Sequence, residues 1–118
     1  MKELKFRAWD GKKMIEDVIP VSETDVVELF EYEFQVTEVE AVEQYTGLED
    51  KNGKEIYEGD VVNIQGIKYY VDFEHGGFWF NDDNRKWKAN RPFTHFQEIN
   101  DTEVVGNVHE NPDLLEEE

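Results

Sequence analysis

Residues 44–62, QYTGLEDKNGKEIYEGDVV, gather the residue types from which ligand loops are built: Gly47, Gly53 and Gly59, with carboxylates at Glu49, Asp50, Glu55, Glu58 and Asp60. Glycine-rich turns cradle phosphate where backbone amides converge at a helix N-terminus, usually beside a Lys. Here the glycines lead instead into DVVNI, a strand pattern, through a stretch crowded with negative charge. The spacing matches neither a Walker loop nor a dinucleotide fingerprint. A calcium loop needs oxygen ligands at alternate positions, Gly at the sixth and Glu at the twelfth. Counted from Asp50, Asn52 and Lys54 take the third and fifth places and no Gly takes the sixth. The stretch therefore reads as turns, with Asn52-Gly53 a two-residue hairpin tip that requires φ > 0 at both positions.

Other chemistries have less to start from. His75, His95 and His109 lie far apart and form no spaced ligand pair, so no catalytic or metal-ligating residue is assigned. Ser22 is the only serine and cysteine is absent, which removes triad nucleophiles, thiolate zinc sites and disulfides together. The enzymatic alternative is a metal-assisted hydrolase using His75 with nearby carboxylates. One basic cluster, RKWKANR, places Arg85, Lys86, Lys88 and Arg91 around Trp87. Cations interleaved with an aromatic can grip single-stranded nucleic acid, but they can equally neutralise nearby carboxylates while Trp87 covers a barrel end. Trp79, Arg85, Trp87, Lys88 and Arg91 are read as an interaction surface, and no cofactor is expected.

The charge favours that protein partner over nucleic acid. A formal charge of −17 arises from 29 acidic and 12 basic residues. Met14 to Asp50 holds twelve carboxylates and neither Lys nor Arg, and Pro92 to Glu118 is also free of Lys and Arg. Such a surface keeps a chain soluble, repels phosphate backbones and attracts basic partners. No stretch has the length and hydrophobicity of a membrane span or a signal h-region, so a cytoplasmic protein is expected.

The elements that must position these residues read as mainly β. Leu4, Phe6 and Ala8 alternate with Lys5, Arg7 and Trp9, and Asp10-Gly11 turns the chain into KKMIEDVIPV, giving an N-terminal hairpin that Pro20 ends. Ser22 to Asp25 has the form of a capping box, yet DVVELFEYEF mixes helical spacing with β-branched and aromatic residues. A short helix or turn followed by a strand through FQVTEVEAVEQY is the expectation. DVVNI, IKYYVDFE and GFWFN form a meander with turns at Gln65-Gly66 and His75-Gly76-Gly77. FTHFQEI and EVVGNVHE supply two more strands, and Asn111-Pro112 opens a short terminal helix. Together these elements suggest a small antiparallel, SH3-like barrel with one or two short helices. Tyr57, Tyr69, Phe78, Trp79 and Trp87 are candidates for its aromatic surface, about half of them core.

Three stretches, KFRAWDGKKM, QYTGLEDKNGKEIYEGDVV and EVVGNVHENPDLL, resemble in order and spacing the YopX family of phage and prophage proteins. The resemblance covers essentially the whole chain, although residues 18–41 match none of the family's motifs. It implies a mostly β protein acting in a bacterial host and transfers no catalytic residue. A single YopX-like domain over residues 1–118 is expected, with room for two lobes, 1–45 and 46–110, and an acidic tail at 111–118. The expected role is a non-enzymatic accessory module that binds an unidentified protein, a basic one being one option beside an acidic charge that serves solubility alone. The alternative is an acidic DNA mimic, with Glu23, Asp25, Glu28, Glu31, Glu33, Glu38 and Glu40 along one element inhibiting a host nucleic-acid enzyme. Exposed strand edges also leave a homo-oligomer open.

Overall fold

A computed structural model describes residues 4–74, 77–81, 91–92 and 101–115. The chain divides into two compact units, Met1–Tyr45 and Thr46–Glu118.

In the first unit β1 (Phe6–Trp9), β2 (Met14–Pro20), β3 (Asp25–Leu29) and β4 (Phe34–Glu38) are followed by β5 (Ala41–Glu49), whose first half pairs with β1. The ladder order is β4-β3-β2-β1-β5, antiparallel wherever the register is defined. The N-terminal hairpin is present, and its tip is set by Asp10, whose Oδ1 accepts the backbone N–H groups of Lys12 and Lys13 at 2.8 Å each. A bulge interrupts β2, where Asp17 has φ 55° and the register shifts between Phe6↔Val18 and Ala8↔Ile15. Strict alternation would send Ile15 and Val18 to opposite faces; the extra residue lets both join Ala8, Val26 and Val39 in the core.

The helix considered after Ser22 is a strand. The capping-box residues close a turn instead: Ser22 N and Val21 N donate to Asp25 O, and Ser22 Oγ donates to Asp25 Oδ2 at 3.1 Å. Adjacent β-branched Val26 and Val27 then point to opposite faces, which suits a pleated strand better than a helix. The long strand expected from Phe34 is broken at Val39 and Glu40, whose N–H groups bond to Thr24 O and Trp9 O at 2.8 Å each. Four strand spacings in a flat sheet would separate β4 from β5 by about 19 Å, yet three peptide links reach only about 11 Å. The sheet of this unit must therefore curl, with Ala8, Val18, Val26 and Val39 on its buried face.

In the second unit the rest of β5 adjoins β6 (Glu55–Tyr57). The expected meander follows as β7 (Asp60–Ile64), β8 (Ile67–Glu74) and β9 (Gly77–Asn81), then β10 (Arg91–Pro92) and β11 (Thr102–Asn107). Gln65 and Gly66, at φ 53° and 88°, form the two-residue turn between β7 and β8. Alternation sends Val62, Ile64, Tyr69, Val71, Phe78 and Phe80 into one core. The ladder reads β10-β9-β8-β7-β11, and among the described residues no pairing closes it. The described residues thus form two antiparallel sheets with no closed barrel among them, a mainly β chain as expected. The strand expected at FTHFQEI and the turn at His75-Gly76 lie outside the described residues.

The terminal helix is a 3-10 turn, Pro112–Leu115, in which Leu114 N donates to Asn111 O at 3.1 Å. Its close packing needs Gly106, where an added Cβ would sit 2.5 Å from Asn111 Oδ1 and 2.7 Å from Leu114 Cδ1. Gly106→Ala is expected to destabilise the protein by about 1–3 kcal/mol, read as a lower urea midpoint at unchanged slope.

Candidate functional site

Two carboxylates of the glycine-rich stretch, Asp50 and Asp60, face backbone donors. Asp50 is buried; its Oδ1 accepts Asn52 N at 2.8 Å and Lys54 N at 2.9 Å, and its Oδ2 accepts Val104 N at 2.8 Å. Burial alone raises the Asp50 pKa, but these three N–H donors and the Lys54 charge outweigh it and hold the carboxyl below its ordinary 3.8. Asp60, also buried, accepts Tyr57 N at 2.7 Å. A phosphate or cation site needs groups aimed at a ligand; these are aimed at the chain itself.

The turn at Asn52-Gly53 is real but longer than expected. Gly53 N donates to Asp50 O and Asp50 N to Lys54 O, enclosing three residues, and only Gly53 has positive φ, 82°. This is the hairpin loop in which a turn is followed by one left-handed glycine. Gly47, read with the rest of the stretch as a turn residue, lies within β5 at φ 89°, and Thr46 Oγ1 beside it accepts Leu48 N and donates to Ile56 O.

Of the residues proposed as an interaction surface, Trp79 lies half-buried on β9 opposite Asp72, and only the backbone of Arg91 is placed, opposite Phe80. Arg85, Trp87 and Lys88 lie outside the described residues, as do His75 and His95. Tyr57, Tyr69 and Phe78 are core. His109 donates its backbone N–H to Asn107 Oδ1, and the described residues hold no cluster of three or more His, Asp or Glu able to bind a metal. No helix among them is long and apolar enough to cross a membrane.

A different surface emerges on the first unit. The register sets Ile19 opposite Val27, Val27 opposite Val36, and Leu29 opposite Phe34. Residues opposite one another, and residues two apart on a strand, share a face, so these five side chains form one patch. The patch is open to solvent: Ile19 is 50% exposed, Val36 57%, Leu29 65% and Phe34 66%. Asp25 and Glu38 pair across its lower end, and Glu31 and Glu33 sit in the turn at its upper end. The alternation of apolar residues with Glu from Leu29 onward was the signal for it, obscured by the helix-or-strand ambiguity of the same residues.

Residues 5–116 match the sequence profile of a family described as "YopX protein". The chain belongs to the YopX family. It is also similar to protein EF1440 from Enterococcus faecalis, whose crystal structure superposes with a TM-score of 0.68 at 26% identity, covering 98% of this chain and 100% of that one. No protein of curated function shows significant similarity.

Each stretch that carries the YopX likeness holds a turn anchored by a short polar side chain. Asp10 serves the first, Asp50 and Asp60 the second, and Asn107, whose Oδ1 accepts His109 N and Glu110 N, the third. Asp50→Asn must present an NH2 group to a backbone donor in either orientation, so a loss of about 2–3 kcal/mol is expected in urea denaturation at neutral pH. The folded pKa of Asp50 is depressed, so its stabilisation is complete above 3.8 and is lost as pH falls through the lower, folded value. The stability gap between wild type and Asp50→Asn should stay constant near neutrality and narrow below pH about 4.

Proposed function

We propose that this YopX-family chain is a non-enzymatic interaction module, a phage- or prophage-encoded accessory protein of the bacterial cytoplasm that binds a protein through the outer face of β2, β3 and β4. The observation that carries this reading is the apolar patch in which exposed Ile19, Leu29, Phe34 and Val36 surround half-buried Val27. Contiguous apolar surface rimmed by polar groups typifies protein docking sites, since leaving it wet forfeits the free energy of covering it. The acidic rim at Asp25, Glu31, Glu33 and Glu38 suits a partner with basic groups around its own apolar contact.

The same features weigh against phosphate mimicry as the main role. A mimic needs carboxylates in an uninterrupted array; here Glu28 turns to the other face, where it accepts the Thr37 hydroxyl at 2.7 Å, and the centre of the outer face is apolar. The reading is tested with wild type and a Leu29→Lys/Phe34→Lys/Val36→Lys variant as baits in host lysate. Specific partners should be retained by wild type and lost by a variant that still unfolds cooperatively. Identical recovery by both baits would remove the patch from the function.

A further inference from the structure

The outer edge of β4 carries the proposal one step further. Within the β3–β4 hairpin, Phe30 N donates to Glu33 O and Val39 N to Thr24 O, each at 2.8 Å, which fixes the hydrogen-bonded pairs at both ends. Antiparallel ladders alternate bonded and non-bonded pairs. Between those ends Gln35 and Thr37 therefore turn their main-chain groups toward β3, while Phe34, Val36 and Glu38 turn theirs outward. β4 is the last strand of its sheet, so these outward groups have no ladder partner among the described residues.

Such an edge is normally protected by Lys, Pro, a bulge or a covering segment. The β11 edge shows the protected form: Asp50 Oδ2 takes Val104 N, and Lys51 N donates to Thr102 O at 3.0 Å. The sequence of β4, FQVTE, contains neither Lys nor Pro, and its register with β3 runs unbroken from Glu38 to Phe34. Its exposed face continues the apolar patch, and its other face carries Glu33 and Gln35, with Glu28 opposite Gln35 on β3.

We infer that β4 accepts an added strand from a basic partner protein, whose alternate residues are apolar against Phe34 and Val36 and Lys or Arg against Glu33 and Glu28. Main-chain bonds to Phe34, Val36 and Glu38 supply attachment, and the alternation supplies selectivity. Charge decides against a second copy as the occupant. Antiparallel pairing of two β4 strands would set Val36 against Val36 and Phe34 against Glu38, and would bring together two copies of Met14 to Asp50, each holding twelve carboxylates and no Lys or Arg to offset them. The inference rests on the interaction-module reading and adds the mode and chemistry of binding.

The test uses the whole chain and a short synthetic peptide alternating Lys and Val, with a Glu/Val peptide of equal length as control. Calorimetry should give binding of the Lys/Val peptide that weakens with salt, and amide exchange should slow at Phe34, Val36 and Glu38. Proline is tolerated on an edge where its nitrogen faces solvent, so Val36→Pro should keep the unfolding transition and charge yet weaken the peptide by at least about tenfold. Equal binding to Val36→Pro, equal binding of the Glu/Val peptide, or protection confined to other residues would overturn the inference. So would concentration-dependent dimerisation of wild type that Val36→Pro abolishes, which would make a second copy the occupant. Slowed exchange in wild type stands as evidence even if the proline variant unfolds. If the peptide fails while the triple Lys variant still loses its lysate partners, the strand inference falls and the interaction-module reading stands; unchanged capture by the triple variant removes that reading itself.

Discussion

A carboxylate removed from water has to be met by donors, and the second unit is arranged around that requirement at Asp50. Its two oxygens accept three backbone N–H groups, two from its own turn and one from Val104, 54 residues further along the chain. A local turn and a distant strand are thereby held by one side chain. Bonds to a charged acceptor contribute more than neutral ones, and each N–H would otherwise be left unpaired. The same logic recurs nearby, where Gly59 lies between two main-chain bonds, its N–H donating to Val71 O and its carbonyl accepting Val108 N. Glycine-rich acidic sequence here is the chemistry of fixing a backbone.

That arrangement also settles which edges of the protein are available. At β11 the Asp50 turn occupies the outward N–H of Val104 and carbonyl of Thr102. At β4 no comparable segment is present among the described residues. The first unit buries mostly small side chains, Ala8, Val18, Val26 and Val39, while Leu29 and Phe34 remain outside. Burying a Leu or Phe side chain is worth about 1.5–3 kcal/mol, so the larger apolar groups of this unit leave binding free energy unused. The surrounding carboxylates keep such a surface dispersed by mutual repulsion between copies.

Sequence reading succeeded where a local rule acts alone. Asp10-Gly11 and Gln65-Gly66 dictate their turns, and the alternation of Tyr69 with Val71 dictates a face, so the hairpin and the meander were legible with their ends nearly in place. It failed where a longer-range bond overrides the local pattern. Ser22 and Asp25 carry the side chains of a helix cap, and only the pairing of Val26 and Val27 with neighbouring strands decides that the turn opens a strand. What covers the β11 edge is the Asp50 turn, through the Asp50 side chain and the Lys51 N–H, which periodicity does not encode. The apolar patch was hidden for a similar reason: until residues 25–38 are known to be a hairpin, Ile19, Leu29 and Phe34 have no common face.

The location of the patch has an energetic logic of its own. The β3–β4 hairpin is joined to β2 by only two register pairs, Ile19↔Val27 and Pro20↔Val26, and contributes a single residue, Val26, to the buried cluster. Elements with so few buried contacts lie at the low-stability end of a fold, where opening and adjustment cost least. The anchored turns at Asp10, Asp50 and Asn107 lie outside this hairpin and do not depend on its outer face. The frame and the exposed surface are thus supported by different interactions, so the outer face can take a new contact without disturbing the bonds that hold the rest in place.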